Sequence, residues 1–308
     1  MSIPDDHALA ADLAERAGRL LLDLRARGGD PGSLRDAGDR QSHEFLMAEL
    51  AQARPGDAVL SEEGIDDKAR LAADRVWIVD PLDGTREFGE PGRTDWAVHV
   101  ALWARDPSAA RGQWPAVGTA FSAPGQLDSG QLIAGAVALP AQGRVLATEA
   151  SPGAGHPYLA NADEGAERPN RWGGSGRPPE GGSAEAVPGL GAERPIRMVV
   201  SRSRASELVK DVAARINAEL VPCGSAGAKV ATVVLGENDV YLHSGGFYEW
   251  DTAAPVAVAA QCGLHVSRID GSPVAYNRED PLLPDILVCR SAIANLLLDA
   301  IREAKHAI

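Results

Sequence analysis

The chain has 308 residues, of which 44% are hydrophobic, so it is long enough for one large domain or two lobes that share a core. Its 43 acidic and 30 basic residues give a net charge of -13, which disfavours binding to extended nucleic acid or to anionic membrane surfaces. The sequence contains neither a long apolar run typical of a membrane span nor the pattern of a signal peptide, so we expect a cytoplasmic protein. Its three cysteines lack metal-site spacing and are expected to be reduced, mostly buried thiols.

The N-terminal part of the chain predicts helices packed on a sheet. Apolar residues at helical spacing indicate one amphipathic helix from Leu9 to Leu24 and a second around Phe45 to Leu50. A short strand, "DAVLSEEG", follows, and the next, "RVWIVD", ends at Asp80. Further strands are indicated by the segments "DWAVHVALWA", "GQLIAGAVAL" and "RVLAT". We therefore expect residues 1–150 to form an α+β lobe with an antiparallel sheet.

The rest of the chain divides into an insertion and a second lobe. Residues 151–194 are rich in Gly, Pro, Ala and Glu without periodicity, and we expect a flexible surface insertion there. Residues 195–308 then predict a strand, a helix over residues 205–220, the segment "GSAGAKVATVVLG", another strand, a helix that opens near Trp250, two more strands and a final helix. This alternation predicts an α/β C-terminal lobe.

Two aspartates stand three residues apart in "DPLDGT", directly after an apolar strand. A regular strand would point Asp80 and Asp83 to opposite faces, but Pro81 and Gly84 can turn the chain so that both carboxylates converge beside the Leu82 carbonyl. Clustered anionic oxygens favour a hard cation such as Mg²⁺. Taken alone, the same residues are equally typical of a simple tight turn.

Other acidic residues accompany this motif. Glu62 and Glu63 end another strand, and Asp251 stands near the start of a helix built from small residues, which can pack close to a neighbour. Gly84 and Thr85 stand at a candidate helix N-terminus, where backbone N–H groups favour a phosphate. Each feature has a plain alternative, namely a solvated acidic loop for the glutamates and a helix N-cap for Asp251. Three such features in this order seldom coincide by chance, so we favour a metal site.

The motifs "SEE", "DPLDGT" and "WDTAA" carry a family resemblance. In this order and at these separations they resemble the magnesium-dependent, lithium-sensitive sugar-phosphatase superfamily, which includes inositol monophosphatases, fructose-1,6-bisphosphatases and 3′-phosphoadenosine 5′-phosphate phosphatases. The resemblance covers nearly the whole chain except the insertion. It implies the α/β class with a layered αβαβα sandwich, hydrolysis of a phosphomonoester, two or three Mg²⁺ ions and inhibition by Li⁺. It also implies that residues 1–150 form the metal-binding lobe and residues 195–308 the substrate-binding lobe.

The resemblance also implies a set of metal ligands. Glu62, Asp80 and the Leu82 carbonyl match the ligands of one Mg²⁺ ion. Asp80, Asp83 and Asp251 match the ligands of a second, and Glu62 is expected to face a third, weaker ion.

Catalytic roles follow from the same resemblance. Thr85 and Asp39 match the pair that orients and deprotonates the attacking water, and Glu63 lies beside the ligand set. No residue pattern points to a competing mechanism, because the histidines form no HExxH zinc motif and are interpreted as scattered surface or core residues.

Other segments resemble the CysQ-type 3′-phosphoadenosine 5′-phosphate phosphatases within this superfamily. These segments are "REF" after the shared "DGT", "VSRSRAS" and "CGSAGAK". The substrate-binding residues predicted from them and from the phosphate loop are Gly84, Thr85, Ser201, Arg202, Ser203, Arg204, Gly224, Ser225 and Lys229. The cationic members could bind a second phosphate, but the plain alternative is a solvated helix start and an ordinary surface lysine. Phe247 and Tyr248 are candidates to flank a base, although core packing is the simpler reading.

The expected function is therefore Mg²⁺-dependent removal of the 3′-phosphate of 3′-phosphoadenosine 5′-phosphate in sulfur assimilation. The substrate would be a small nucleotide bisphosphate, and the resemblance is compatible with a homodimer. One alternative is inositol monophosphatase or fructose-1,6-bisphosphatase activity on the same fold. An alternative of another class is a catalytically silent metal- or nucleotide-binding regulatory protein, which would not need the water-activating pair.

Overall fold

A computed structural model describes residues 5–105, 130–149, 158–159, 194–203 and 205–306. The α-helices in these ranges are α1 (Asp6–Ala26), α2 (Pro31–Ala53), α3 (Thr85–Gly89), α4 (Glu207–Arg215), α5 (Ala226–Val234), α6 (Glu249–Gln261) and α7 (Ala294–His306). The strands are β1 (Ala58–Ser61), β2 (Arg75–Asp83), β3 (Ala97–Ala104), β4 (Gln131–Leu139), β5 (Arg144–Ala147), β6 (Tyr158–Leu159), β7 (Arg197–Ser201), β8 (Glu219–Cys223), β9 (Val240–Tyr248), β10 (His265–Ser267) and β11 (Leu282–Cys289). None of the helices in the described ranges has the length and apolar character needed to cross a membrane.

The strands form two sheets. The first has the order β1-β2-β3-β4-β5-β6, in which β1 runs parallel to β2 and the other neighbours are antiparallel. The second has the order β10-β11-β9-β7-β8, with β7 parallel to both β8 and β9. The prediction of a wholly antiparallel N-terminal sheet is wrong at β1, because residues 62–74 form a connection long enough to return the chain in the parallel direction.

Three hydrophobic cores stack the elements into five layers. Helices α1 and α2 cover the outer face of the first sheet, α5 and α6 fill the space between the sheets, and α4 and α7 cover the outer face of the second. Successive residues of β2 alternate between two of these cores: Trp77 and Val79 face α1 and α2, whereas Val76 and Ile78 face the middle layer. The predicted αβαβα sandwich is therefore confirmed.

Small side chains let α6 lie close to the first sheet. A Cβ added at Gly135 of β4 would stand 2.7 Å from the Ala257 Cβ of α6, a distance that real Cβ atoms do not reach. This contact confirms the prediction that the small-residue helix after Trp250 packs tightly against a neighbour.

Several boundaries differ from the predicted ones. Strand β1 ends at Ser61, so Glu62 and Glu63 lie just beyond it instead of ending the strand. The helix predicted over residues 205–220 ends at Arg215, two residues before Asn217, which adopts a positive φ of 51°. Residues 219–223 then form the edge strand β8. The segment "GSAGAKVATVVLG" forms α5. Strand β2 continues to Asp83 instead of ending at Asp80, with an irregular register between the two aspartates. The predicted insertion lies outside the described residues except for β6 and Arg194.

A buried arginine links the loop after β1 to the start of α6. Arg70 is 1% exposed and donates to the Asp66 carboxylate, to Asn277 Oδ1 at 2.8 Å and to the Arg278 carbonyl at 2.8 Å. The backbone N–H groups of Asn277 and Arg278 in turn donate to the Glu249 carboxylate at 2.7 and 2.8 Å. The loop after β1 and the start of α6, which are distant in sequence, are therefore held together by one chain of charged and polar groups.

Replacing Arg70 with Ala should lower the free energy of unfolding by about 3–5 kcal/mol, because it leaves the partners of a buried cation uncompensated. Chemical denaturation followed by circular dichroism would measure the loss. Arg278→Ala is the matched control, because this neighbouring side chain is exposed and only its backbone joins the network; it should change stability by less than about 0.5 kcal/mol. Equal losses in the two variants would contradict the assignment.

Candidate metal centre and active site

A cavity of about 600 Å³ is lined by residues from both sheets and from the starts of α5 and α6. All the predicted metal ligands line it, as do the predicted substrate-binding residues that the structure describes. Arg204 lies outside the described residues, and Asp39 and Glu63 are not among the residues that line the cavity. The five sequence segments that carry the predicted site therefore meet at one place.

Three aspartates form the floor of this cavity. One carboxylate oxygen each from Asp80, Asp83 and Asp251 lies within 4.8 Å of the others. Asp80 and Asp83 are 1% and 7% exposed, and both reach the cavity because β2 is irregular between them. The Leu82 N–H donates to Asp80 Oδ1 at 3.0 Å, which fixes the turn of the backbone that the sequence suggested.

The carboxylates repel one another strongly. Burial and the charges of neighbouring acids raise the pKa of Asp80 well above its usual range and that of Asp251 to about 6. Glu62 is exposed as a residue, but its carboxyl group lies against the other acids. Partial burial of that group, together with the charges of Asp251, Asp83 and Glu63, raises the pKa of Glu62 to about 7. Oxygen-only donors that are this close together, and resist ionisation, suit a hard divalent cation, so the residues present fit Mg²⁺.

Asp83 is the exception, because donors surround it. Although burial alone would raise its pKa, His99, Lys229 and the Ser225 hydroxyl hold it below the usual range for an aspartate. Its Oδ2 accepts from the Gly227 N–H at 2.6 Å and from Ser225 Oγ at 2.5 Å. Asp83 is therefore ionised and held in place by the start of α5.

The predicted water-activating pair is assembled. Thr85 Oγ1 lies 3.2 Å from Asp39 Oδ1 and 3.0 Å from the Leu82 carbonyl oxygen. Burial, followed by the negative charge of Glu63, raises the pKa of Asp39 to about 6. A carboxylate with that pKa can accept a proton near neutral pH, and Glu63 tunes it without lining the cavity.

Asp251 serves in the described structure as both a helix cap and a cluster member. Its Oδ2 accepts from the Tyr248 N–H at 2.6 Å, which satisfies a free donor at the start of α6. The N-cap alternative raised from sequence is therefore wrong in position, because Tyr248 is the N-cap and Asp251 is the third helical residue, bonding back to it. This contact does not compete with the metal hypothesis, because Asp251 also joins the triad.

The predicted substrate cations are already engaged by protein groups. Arg202 donates to Glu87 Oε1 at 2.8 Å and to Glu90 Oε2 at 2.9 Å. Lys229 is 6% exposed, and its Nζ donates to the carbonyls of Gly224 at 2.8 Å and Ser225 at 2.7 Å. Lys229 is therefore not the ordinary surface lysine of the plain alternative, since it holds the turn before α5.

An aromatic rim borders the cavity on the β9 side. The His243 and Phe247 ring centroids lie 5.0 Å apart, and Tyr248, which is 45% exposed, stacks on Trp250 at 4.7 Å. Phe247 packs partly against the middle core, as the simpler reading expected, and it also lines the cavity, so its role beside a base stays a prediction.

Sequence reasoning missed His99. This histidine is fully buried in β3 and pairs in register with Asp80, and its Nε2 lies 3.2 Å from Asp83 Oδ2. An available signal was its position, since His99 interrupts the apolar run "DWAVHVALWA" on the face shared by Ala97 and Ala101. Asp95 was also missed; its carboxylate accepts from the Gly224 N–H at 2.6 Å.

The layered fold and the acidic centre agree with the sugar-phosphatase class expected from the motifs, and the comparison with family models agrees with it as well. The model of the inositol monophosphatase family matches residues 10–110 and 125–306, so the chain belongs to this family. The resemblance seen in the motifs is thereby confirmed.

Individual relatives lie within the predicted branch. The chain is 44% identical over 300 residues to the 3′-phosphoadenosine 5′-phosphate phosphatase of Mycobacterium leprae (strain TN), covering 97% of this chain and 94% of that protein. It is 27% identical over 248 residues to the 3′(2′),5′-bisphosphate nucleotidase CysQ of Escherichia coli (strain K12), covering 80% and 81% of the two chains. The crystal structure of CysQ from Bacteroides thetaiotaomicron matches with a TM-score of 0.66 and 28% identity, covering 92% of this chain and 96% of that one.

Without metal, stability should fall as the pH rises from about 5 to about 8. The pKa values of Asp39, Asp251 and Glu62 are raised in the folded chain to about 6, 6 and 7, so the folded state binds more protons than the unfolded state in this window. Asp83 does not oppose the trend, because its pKa is lowered and it titrates at more acidic pH. Burial lowers the pKa values of His7 and His265, which oppose the trend, but these two groups are fewer than the carboxylates whose pKa values are raised. Thermal unfolding in EDTA should therefore give a lower Tm at about pH 7.5 than at about pH 5.5.

Two controls test the cause of this trend. Saturating Mg²⁺ should raise Tm more at the higher pH, and Asp251→Asn in EDTA should show a weaker pH dependence because an amide does not titrate. A Tm in EDTA that does not change with pH would contradict the electrostatic account of the cluster.

Proposed function

We propose that this chain is a Mg²⁺-dependent phosphomonoesterase that acts in the cytoplasm, in sulfur assimilation. It would hydrolyse 3′-phosphoadenosine 5′-phosphate with one water molecule to AMP and inorganic phosphate. The observation that carries the proposal is the Asp80, Asp83 and Asp251 triad beside the Thr85 and Asp39 pair. The relative from M. leprae, which matches this chain over nearly its full length, bears the name of this activity.

The donors expected to hold two or three Mg²⁺ ions are the carboxylates of Glu62, Asp80, Asp83 and Asp251 and the Leu82 carbonyl. When bound, Mg²⁺ would supply Lewis acidity that neutralises the phosphate charge and lowers the pKa of a water molecule. Li⁺ is expected to inhibit by competing for one of these positions.

The chain's own residues would position the water and accept its proton. The Thr85 hydroxyl can hydrogen-bond the water while its proton points to Asp39, so Thr85 sets the direction of attack. As Thr85 takes a proton from the water, Asp39 would accept the Thr85 hydroxyl proton as the general base, which its raised pKa of about 6 allows near neutral pH. This pair also argues against a silent binding protein, because metal binding alone does not require it.

The rest of the cavity suits a nucleotide bisphosphate. Ser201, Arg202 and Ser203 line one wall and offer donors to a second phosphate or to the ribose, while Lys229 has one ammonium proton beyond the two bonded to carbonyls. The aromatic rim, with Phe247 at its centre, provides an apolar face for a base. Inositol phosphates and fructose 1,6-bisphosphate would leave that rim uncovered, and they remain the competing substrates.

Initial rates of phosphate release should show a preference for the nucleotide. We expect kcat/KM for 3′-phosphoadenosine 5′-phosphate to exceed that for inositol 1-phosphate and fructose 1,6-bisphosphate by about tenfold or more, equivalent to about 1.4 kcal/mol of transition-state binding. Millimolar Li⁺ should inhibit in the presence of Mg²⁺. A preference for either other substrate would retain the metal chemistry and overturn the substrate assignment, and no turnover of any of them would support the silent binder.

Thr85→Ala should lower kcat by about 10²–10⁴-fold, the typical contribution of a positioned proton-transfer group. Thr85→Ser is the matched control, because it keeps the hydroxyl that lies 3.2 Å from Asp39 and should stay within about tenfold of the wild type. Both variants should bind Mg²⁺ as the wild type does. Unchanged turnover in Thr85→Ala would remove this residue from the reaction.

A further inference from the structure

His99 lies directly beneath the acidic triad. It is 0% exposed, it stands opposite Asp80 in the pairing of β3 with β2, and it shares the sheet face that carries the middle core. A buried imidazole in this place is surrounded by metal-ligand candidates rather than by apolar side chains alone.

The ring connects two of these ligands. Its Nδ1 lies 3.1 Å from the Trp250 carbonyl oxygen, and its Nε2 lies 3.2 Å from Asp83 Oδ2. A carbonyl only accepts hydrogen bonds, so Nδ1 carries a proton and donates it to Trp250, the residue before Asp251. His99 therefore spans from the end of β2 to the first turn of α6.

The Nε2 atom points into the metal centre. It is fully buried and forms no hydrogen bond of good geometry with the described residues. Among those residues, its one ion-pair partner is the Asp83 carboxylate, whose Oδ2 lies 3.2 Å away. A buried polar atom in such a position carries a free-energy cost, which an apolar residue at this site would avoid.

The neighbouring helix makes room for the imidazole. A Cβ added at Gly227 would stand 2.0 Å from His99 Nε2, so no other residue can occupy position 227 while the ring keeps its place. The same glycine donates its N–H to Asp83 at 2.6 Å. His99, Gly227 and Asp83 are therefore fitted to one another.

We propose that His99 is a positioning residue of the metal centre, which fixes Asp83 relative to Asp251, and that Gly227 is required because its missing side chain leaves space for the ring. This inference rests on the proposed metal dependence. It is separate from the choice of substrate and from the water-activating pair, neither of which His99 contacts in the described structure.

Three substitutions separate the two contacts of the ring. His99→Leu removes both, His99→Asn keeps an amide near the Nδ1 position toward Trp250, and His99→Gln keeps one near the Nε2 position toward Asp83. The readout is binding of Mn²⁺ alone, followed by the electron paramagnetic resonance signal of the free ion. Groups that orient metal ligands typically contribute about 10–100-fold to affinity, so His99→Leu should bind Mn²⁺ at least about tenfold more weakly, and each amide should restore part of the loss.

Controls distinguish positioning from general packing. His265→Leu removes a half-buried histidine of β10 that bonds Ser267, outside the cavity, and should leave Mn²⁺ affinity within about twofold. Thermal unfolding in EDTA must show that each variant is folded. A folded His99→Leu protein whose Mn²⁺ affinity is within about threefold of the wild type would overturn the proposal.

Coupling between His99 and Gly227 gives an independent test. Gly227→Ala alone should weaken Mn²⁺ binding about as much as His99→Leu, because the added methyl group displaces the ring. In a His99→Ala background the same change should cost less than about twofold, because the ring is absent. Additive effects of the two substitutions would contradict the proposed fit.

One measurement on the unaltered chain remains decisive if the variants do not fold. The ¹⁵N resonances of the His99 ring should shift when Mg²⁺ is added to the wild-type protein, since Asp83 reorganises on binding. A ring that shows no change at saturating Mg²⁺ would overturn the inference. If the wild type binds neither Mn²⁺ nor Mg²⁺, the metal dependence in the proposed function fails as well. If the His99 variants and the wild type all bind the metal equally well, only the positioning role of His99 is refuted.

Discussion

Repulsion between carboxylates is the constraint on which the rest of this structure depends. Asp80, Asp83 and Asp251 bring oxygens within 4.8 Å of one another, with Glu62 beside them, in a region that water only partly reaches. In such a region, charges at a given separation interact several times more strongly than in bulk water, because the effective dielectric constant is lower. The chain tolerates the cluster because Asp83 is surrounded by donors, while the other three resist ionisation until a cation can bind.

The layered fold is what brings these groups together and keeps them apart from solvent. Its middle layer, α5 and α6, touches both sheets, so the start of each helix can reach the end of β2. Glu249 and Arg70 link the start of α6 to the loop after β1, while Ser225 and Gly227 link the start of α5 to Asp83. The geometry of the centre therefore depends on correct docking of both sheets, although most ligands come from the first.

Local sequence predicted the acidic cluster well because its carboxylates lie in short motifs whose turn residues have clear conformational meaning. The "DPLDGT" segment placed Asp80, Leu82 and Asp83 together before the fold was known. Features that depend on pairing between distant segments could not be predicted in this way. His99 gains its significance only from its register with Asp80, and β8 was missed because an edge strand with mostly exposed residues carries no apolar alternation.

The same limit applies to substrate recognition, and it shapes how selectivity can arise. Sequence alone shows Arg202 and Lys229 as cations, but the fold pairs Arg202 with Glu87 and Glu90 and turns Lys229 toward two backbone carbonyls. A second phosphate must therefore compete with these partners for the same donors, so its charge contributes less to affinity than unpaired cations would give. Under the proposed function, discrimination among small phosphate esters would then depend more on the shape of the cavity and on the aromatic rim of β9, which offers an apolar face to a flat base.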